Sequence, residues 1–307
     1  MIKAARIKPE ADGRGKIYTE DMKNQKTCSP AKIAKTSHRR HDFVTDFGFG
    51  MGVMKTIAPE VQELQTAPPV AGCRVRLAES AADVRAAQAL RFAVFNLELN
   101  EGLEQSFHTC LDADPFDEIC DHLLVEDLAS GETVGTYRLQ TGRRAAQGLG
   151  YYSAQEFDLS PLEPNRAETV ELGRACVARS HRNLAVLSML WRGIARYARE
   201  RGGRYLAGCS SVHTQDAAVG AALYSDLMRR HLVAEPFQIR PLPHVACPLD
   251  RLAEEAPELP KLFATYLTLG AKICGAPALD REFKTVDFLT LMDLESVPRR
   301  VAQRFLA

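Results

Sequence analysis

The sequence lacks the long apolar runs and cysteine pairs that would mark several protein classes. Its longest apolar stretch, residues 184–191, is interrupted by Ser188 and is far shorter than the roughly 18 apolar residues of a membrane-spanning helix. The first 35 residues are polar, so we expect no secretory signal peptide. None of the eight cysteines forms a CxxC pair, which favours reduced thiols over a disulfide framework or zinc site. We therefore expect a cytoplasmic globular protein.

The overall charge is zero, but the charges are unevenly distributed. Residues 1–50 hold 11 Lys and Arg against 6 Asp and Glu, and the remaining chain holds 28 against 33. The first segment also has no hydrophobic periodicity. We predict a disordered basic extension over residues 1–70 and one domain over residues 71–307. A native start at Met51 or Met54, instead of Met1, is a further hypothesis for this segment.

After the extension, hydrophobic periodicity predicts alternating strands and helices. Ser80 and Asp83 form a capping-box pattern before a helix over 81–97, whose apolar stripe ends at Leu97. Further helices are predicted over 151–157, 184–201, 216–230 and 259–273, and strands over 73–77, 122–126, 133–140, 167–177, 205–212 and 283–292. This order indicates an α/β fold: a mixed sheet with helices on both faces.

Residues 169–185 are the most informative window, because a strand leads through a short polar turn directly into a helix. The free N–H groups at a helix start suit a phosphate group, and Arg179 and Arg182 lie beside that start. Glu171, on the strand, is a candidate acceptor for a proton from an amine. The alternative is that Glu171 and Arg174 form a structural ion pair.

The spacing of Val177, Arg182 and Ala185 resembles that of the pyrophosphate loop of the GNAT acyltransferase superfamily. The loop of that superfamily prefers Gly at the position where this chain has Ala185. The chain also contains, in this order, Arg91-Phe92-Ala93-Val94-Phe95, Asp112-x-Asp114-x-x-Asp117, Gly135-x-x-Arg138 and Glu171-x-x-Arg174. This ordered set resembles the acyl-homoserine lactone synthases, which are GNAT relatives, but the chain lacks their tryptophan soon after Phe95.

A longer set of motifs runs through residues 71–305: Phe95-Asn96-Leu97-Glu98-Leu99, Phe116-Asp117-x-x-Cys120-Asp121-His122-Leu123, Gly135-Thr136-Tyr137-Arg138, Glu171-Leu172-Gly173-Arg174, Leu190-Trp191-Arg192-Gly193, Tyr266-Leu267-x-Leu269-Gly270-Ala271 and Pro277-Ala278-Leu279-Asp280-Arg281-Glu282-Phe283-Lys284. In these motifs the chain more closely resembles the L-ornithine Nα-acyltransferase family of ornithine-lipid synthesis. The resemblance implies a GNAT-like fold. It also implies transfer of a 3-hydroxyacyl chain from acyl carrier protein to the α-amino group of L-ornithine, giving lyso-ornithine lipid.

The resemblance also implies roles for individual residues. Glu171 would be the general base, directly or through water, with Arg174 and Arg138 beside it as catalytic residues. Substrate-binding residues would be Arg91, Phe95, Asp112, Asp114 and Asp117. The 4'-phosphopantetheine of the acyl carrier protein would contact Val177, Arg179, Arg182, Asn183, Leu184 and Ala185, with no bound cofactor and no metal. Alternatively, Arg138 and Arg174 are buried structural partners of the three aspartates.

Several features of the sequence have more than one interpretation. Residues 174–204 contain eight Arg and one acid, Glu200, and form either a solvated face or a docking surface for acyl carrier protein; we expect no nucleic-acid partner. His122 is interpreted as structural, and a zinc site with Cys120 is disfavoured. The helix at 259–273 packs in the core, binds the acyl chain or touches the membrane peripherally.

The alternative functions for the whole protein are an acyl-homoserine lactone synthase or another amino-acid N-acyltransferase, and a non-enzymatic, membrane-active hemolysin-like protein.

Overall fold

A computed structural model describes residues 72–254 and 257–305. The predicted disordered extension, residues 1–70, lies outside the described residues. The strands are β1 (Cys73–Leu77), β2 (Asp121–Asp127), β3 (Thr133–Thr141), β4 (Thr169–Val177), β5 (Tyr205–Val212), β6 (Lys272–Ile273), β7 (Ala278–Asp280) and β8 (Thr285–Asp293). The α-helices are α1 (Ala81–Arg91), α2 (Ser106–Thr109), α3 (Gly142–Ala145), α4 (Leu184–Glu200), α5 (Ala217–His231), α6 (Lys261–Leu269) and α7 (Arg299–Phe305).

The strands form a single mixed sheet in the order β1-β2-β3-β4-β5-β8-β6, with β7 also paired to β8. Every pairing is antiparallel except that of β4 with β5, which is parallel. A parallel pair requires a crossover, and α4 supplies it between the two strands. The α/β class predicted from the element order is confirmed.

The two parallel strands stay together for only three residues. Their register ends at Glu171 opposite Ala207, although β4 continues to Val177 and β5 to Val212. Beyond that point the two strands separate, and we call this opening the β4–β5 split. Arg174 lies at the split with φ of 50°, where the β3–β4 register also shifts. The split exposes backbone and side chains in the middle of the sheet, where a continuous ladder would hide them.

Helices cover both faces of the sheet, as the sequence predicts. On one face α4 buries Leu190, Trp191 and Ile194 against strand residues such as Leu123. On the opposite face α1 packs against β3 and β4, where Leu90 and Val94 contact Cys176. Burial of these apolar stripes supplies the main driving force for folding.

The helix predicted over 81–97 begins as expected but changes type before its end. Ser80 and Asp83 make the predicted capping box. From Phe92 to Glu98 the chain is a π-helix, closed by the bond from Leu99 N to Val94 O of 3.0 Å. The wider turn rotates the stripe, so Leu97 is 54% exposed and Asn96 is buried instead. The prediction that Leu97 is a stripe residue was therefore wrong.

The helix predicted over 259–273 is also shorter than expected. It ends at Leu269, where Gly270 adopts φ of 108°, and Lys272–Ile273 then forms strand β6. Glycine is suited to this left-handed position because it has no Cβ. The apolar periodicity therefore runs across a turn and into the sheet.

Free thiols are found at six of the described cysteines, Cys73, Cys120, Cys176, Cys209, Cys247 and Cys274. Cys110 is disulfide-bonded and departs from the expectation of reduced thiols. Across residues 72–254 and 257–305, none of the helices is both apolar enough and long enough to span a membrane.

Where the split begins, β4 and β5 still approach closely, and Gly208 therefore has no room for a side chain. A Cβ there would lie 2.2 Å from the carbonyl oxygen of Leu172, which is backbone and has little room to move. We expect Gly208→Ala to lower the free energy of unfolding by about 1–3 kcal/mol, as overpacking does. Urea denaturation would measure the loss.

Gly173→Ala is the matched control on the other side of the split. A Cβ at Gly173 would meet no atom within 4 Å, so its unfolding free energy should stay close to that of the wild type. Equal stability of the two variants would contradict the proposed close contact between the strands.

Candidate active site

A cavity of about 410 Å³ opens at the β4–β5 split. Its walls include Glu171 and Arg174 from β4, Cys209 from β5 and Phe95 from the π-helix. A smaller cavity of about 70 Å³ lies against Trp191 of α4. Both cavities share the residues at the split, namely Leu172, Gly173, Arg174, Ala175, Cys209, Ser210 and Tyr266. The split is therefore the point where ligands from the two faces of the sheet can meet.

Glu171 lies on the wall of the larger cavity and is held by three donors. Its carboxylate accepts hydrogen bonds from the backbone N–H groups of Tyr152 and Ser153, at 2.7 and 2.8 Å, and from the Ser153 hydroxyl. Burial raises the pKa of Glu171, while the Ser153 and Tyr152 hydrogen bonds oppose that rise. A fixed carboxylate with a raised pKa is suited to accepting a proton.

The donors reach Glu171 because a short 3₁₀ helix, Tyr152–Gln155, lies across the sheet face. Tyr151 and Phe157, which flank this helix, are buried in a cluster with Tyr205 and Ala207 of β5. The sequence predicts a short helix over 151–157, but its contact with Glu171 is a tertiary result.

Three arginines and three aspartates form a network behind this cavity, four of them buried and two, Asp114 and Arg174, partly buried. We call it the Arg–Asp network: Arg91, Arg138, Arg174, Asp112, Asp114 and Asp117. Arg91 contacts Asp112 at 3.2 Å and Asp117 at 2.6 Å. Gln88 also donates to Asp117. These ion pairs hold the pKa of Asp117 well below its usual range, despite the burial that raises it.

The other half of the network faces the cavity. Arg138 contacts Asp114 at 2.6 Å and Asp117 at 3.0 Å, and Arg174 contacts Asp114 at 3.0 Å. Both guanidinium groups also lie over the Tyr152 ring, at 5.0 and 4.6 Å. A cation over an aromatic face gains electrostatic stabilisation. The network therefore connects the loop around residues 112–117 with β3, β4 and the 3₁₀ helix beneath Glu171.

A second acidic group reaches the larger cavity through Asp287, which lines it. Glu156, Cys209 and Asp287 bring their ligand atoms within 4.8 Å of one another. Burial and the charge of Asp287 raise the pKa of Glu156 to about 9, and burial raises the pKa of Asp287 to about 6. Sequence reasoning missed this pair. The available signal was Asp287 itself, an acid between Val286 and Phe288 in an otherwise apolar strand.

The strand–turn–helix window forms as predicted at the edge of the split. Asn183 caps α4 by accepting a hydrogen bond from Val186 N at 3.0 Å, which leaves the N–H groups of Leu184 and Ala185 without an intrahelical partner. The guanidinium of Arg182 instead ties the turn together, since it donates to the Val177 carbonyl at 3.0 Å and pairs with Glu98. Open N–H groups at a helix start are the kind of element that can bind an anion.

Comparisons with known proteins agree with this architecture. A family model described as an acetyltransferase (GNAT) domain matches residues 90–192. L-ornithine N(alpha)-acyltransferase of Brucella abortus is 36% identical over 75% of this chain and 88% of its own length. The enzyme of the same name from Rhodobacter capsulatus is 34% identical over 74% of this chain and 92% of its own length.

The chain belongs to the L-ornithine N(alpha)-acyltransferase family. It is an N-acyltransferase with a GNAT fold, as its resemblance to that family predicts. Among solved structures, the AHL synthase LasI aligns over 76% of this chain and 96% of its own, with 11% identity and a TM-score of 0.45.

The residues that the family resemblance implied fall into three groups in the structure. Glu171, Arg138, Arg174 and Phe95 line the larger cavity. Arg91, Asp112, Asp114 and Asp117 are not among its lining residues and instead complete the Arg–Asp network. The residues of the implied phosphopantetheine site, Val177, Arg179, Arg182, Asn183, Leu184 and Ala185, come together at the start of α4. Arg138 and Arg174 therefore form ion pairs with the aspartates, as the structural interpretation expects, and they also line the cavity.

His122 and Cys120 lie near the network. His122 is buried, its Nε2 lies 3.1 Å from the Asp117 carbonyl oxygen, and burial lowers its pKa. Cys120 lines the larger cavity, and burial raises the pKa of its thiol to about 12. Neither residue belongs to the group with metal-ligand spacing found in the described part of the chain.

Breaking an ion pair of the Arg–Asp network should destabilise the fold strongly. We expect Asp117→Asn to lower the free energy of unfolding by about 3–5 kcal/mol, because it leaves buried arginines without their counter-charge. Urea denaturation at neutral pH would measure this.

Asp226→Asn provides the comparison, because Asp226 makes exposed ion pairs with Arg229 and Arg230 on α5. Its cost should stay below about 1 kcal/mol. A cost for Asp117→Asn no larger than that of Asp226→Asn would show that the buried charges are not coupled as described.

Proposed function

We propose that this protein transfers an acyl chain to the α-amino group of L-ornithine. The names of the relatives support this acceptor. The observation that carries the proposal is the position of Glu171, a buried carboxylate on the wall of a cavity at the strand split. An ammonium group cannot attack a carbonyl, so the acceptor amine must lose a proton, and Glu171 is placed to take it directly or through water.

The larger cavity has the charge character that a cationic amino acid requires. Asp280 and Asp287 line it together with Glu171. The positive charges of Arg138 and Arg174 are balanced by the aspartates of the Arg–Asp network. Nη2 of Arg138 and Nε of Arg174 are buried without a hydrogen-bond partner. Of these, Arg174 Nε lies 3.4 Å from Asp112, whereas the ion pairs of Arg138 are made through its Nη1. Nη2 of Arg138 is the group we assign to the α-carboxylate of the acceptor.

The acyl donor we propose is a 3-hydroxyacyl chain on the 4'-phosphopantetheine of acyl carrier protein. The open N–H groups of Leu184 and Ala185 and the exposed Arg179 would receive the phosphate. The smaller cavity, lined by Trp191, Tyr266 and Met292, is apolar enough for part of the acyl chain. The thioester carbonyl would then lie in the split, within reach of an amine in the larger cavity.

In the proposed reaction the deprotonated amine nitrogen attacks the thioester carbon. The ammonium loses one proton to Glu171 before attack, and the nitrogen loses a second to solvent as the C–N bond forms. The C–S bond breaks, and the phosphopantetheine thiol leaves with the proton that Glu171 returns. Backbone N–H groups at the shift in β4 near Arg174 are candidates to stabilise the oxyanion. The products are the N-acylated ornithine, which is lyso-ornithine lipid, and free acyl carrier protein.

The purified full-length protein should be incubated with 3-hydroxyacyl carrier protein and, separately, ornithine, lysine, glutamine or S-adenosylmethionine. Release of the carrier thiol together with N-acylornithine, identified by mass spectrometry, is the expected result. Product from S-adenosylmethionine but not ornithine would overturn the proposal in favour of a lactone synthase.

Glu171→Gln should lower kcat by at least about 100-fold, because it removes the proton acceptor. In the wild type the rate should fall as pH drops through the raised pKa of Glu171, since the acid form cannot accept a proton. Thermal melting would check the fold, because the new amide faces the Tyr152 N–H donor.

Ser153→Ala separates a proton-acceptor role from a structural one. The Ser153 hydrogen bond lowers the pKa of Glu171, so its removal should move the acid limb of the kcat profile to higher pH. An unmoved limb, or near-normal turnover by Glu171→Gln, would contradict the assignment.

The exposed arginines of α4 are the docking surface we propose for acyl carrier protein, which is strongly acidic. Arg192 and Arg199 are exposed, whereas Ile194 and Ala198 between them are buried. The double variant Arg192→Glu and Arg199→Glu should raise KM for the acyl carrier substrate about 10-fold at low salt, and less at high salt.

Arg229→Glu with Arg230→Glu, on the exposed end of α5, reverses the same number of charges elsewhere. An equal effect from this pair, or no change from the α4 pair at either salt concentration, would reject the docking surface.

A further inference from the structure

The acidic pair Glu156 and Asp287 has no protein cation as an ion-pair partner among the described residues. Asp287 is 4% exposed and Glu156 is 7% exposed. Oδ1 of Asp287 and Oε2 of Glu156 are both buried without a hydrogen-bond partner. By contrast, Glu101 on the same cavity is paired with His213 at 2.6 Å. Buried carboxylates are normally paired or hydrogen-bonded, so two unused oxygens at one site require an explanation.

The position of the pair connects it to the reaction site. Asp287 and Cys209 both line the larger cavity, and the Cys209 thiol lies within 4.8 Å of the ligand atoms of both acids. Burial is the main cause of the raised pKa of Cys209, and the charges of Glu156, Asp287 and Glu171 add to it. Cys209 is thus close to the acidic pair and lines the same cavity as the candidate base.

We infer that Asp287, supported by Glu156, binds the side-chain ammonium of the amino-acid acceptor and selects a diamino acid over a neutral one. This inference rests on the proposed function, because it assigns a subsite to that acceptor. An ammonium has three donors and a full positive charge, which match two unused carboxylate oxygens. Without ligand, the high pKa of Glu156 means that this acid retains a proton at neutral pH, so that the buried pair does not carry two charges.

L-norvaline tests this subsite, because it is ornithine without the side-chain amine. For the wild-type protein, kcat/KM should favour ornithine over norvaline by about 10- to 100-fold, the range for a hydrogen bond to a charged group. In Asp287→Asn this ratio should fall to near 1, mainly through a higher KM for ornithine and with kcat changed little. Glu156→Gln should reduce the ratio less, because Glu156 supports Asp287 and is already protonated.

Two controls make the result specific. Glu101→Gln removes a carboxylate from the same cavity, but one that already contacts Nδ1 of His213 at 2.6 Å, so the ratio should stay near the wild-type value. Calorimetric titration with ornithine and norvaline gives the same comparison without turnover. It also tests whether the subsite binds the side-chain ammonium if the protein fails to transfer acyl groups. If Asp287→Asn is too unstable to assay, Glu156→Gln is titrated in its place.

The outcomes distinguish the subsite from the function it serves. Tighter binding of ornithine than norvaline, lost in Asp287→Asn, supports the subsite even when no acyl transfer occurs, in which case the proposed function alone fails. An unchanged ratio in both acid variants, or loss of the ratio in Glu101→Gln only, would overturn the inference. So would a divalent metal that co-purifies with the wild type and is absent from Asp287→Asn, with selectivity unaffected.

Discussion

The short parallel pairing of β4 with β5 is the constraint on which the rest of the structure depends. Three residue pairs hold the strands together, ending at Glu171 and Ala207, and beyond them the strands part. Gly208 permits the close approach at that point because it has no Cβ to strike the Leu172 carbonyl. The sheet still remains one unit, because β4 stays paired with β3 and β5 with β8. An opening in the middle of a sheet is thus obtained without creating two domains.

The charges around this opening are of two kinds. In the Arg–Asp network, three arginines and three aspartates balance one another, so they stabilise the loop and strands without adding net charge to the cavity. Glu171 is held by hydrogen bonds from neutral donors, and Glu156 and Asp287 make no ion pair with a cation in the described part of the chain. The balanced set holds the loop and strands in place, and the second set is the one to which we assign the proton and the positively charged substrate in our proposals.

Helix α4 connects the split to the surface of the molecule. Its buried face forms the wall of the smaller cavity through Trp191, and its first N–H groups are open at the edge of the split. Its exposed face carries arginines. One helix therefore contributes to the proposed acyl cavity, the proposed phosphate site and the surface proposed for the carrier protein, because these lie at its buried face, its first turn and its exposed face.

Much of this protein was determined by the sequence alone. Periodicity and capping predicted β1, β5 and the start of α1 at or near their bounds, and the motifs placed the chain in its family, because these are local patterns or ordered residue types. Tertiary structure decided how the charges are shared: Arg174 meets Asp114 across 60 residues of chain, and Ser153 meets Glu171 across 18. It also decided that Leu97 turns outward on a π-helix and that Glu156 faces Asp287. No local pattern carries these facts, because burial and pairing depend on which distant segment packs against each residue.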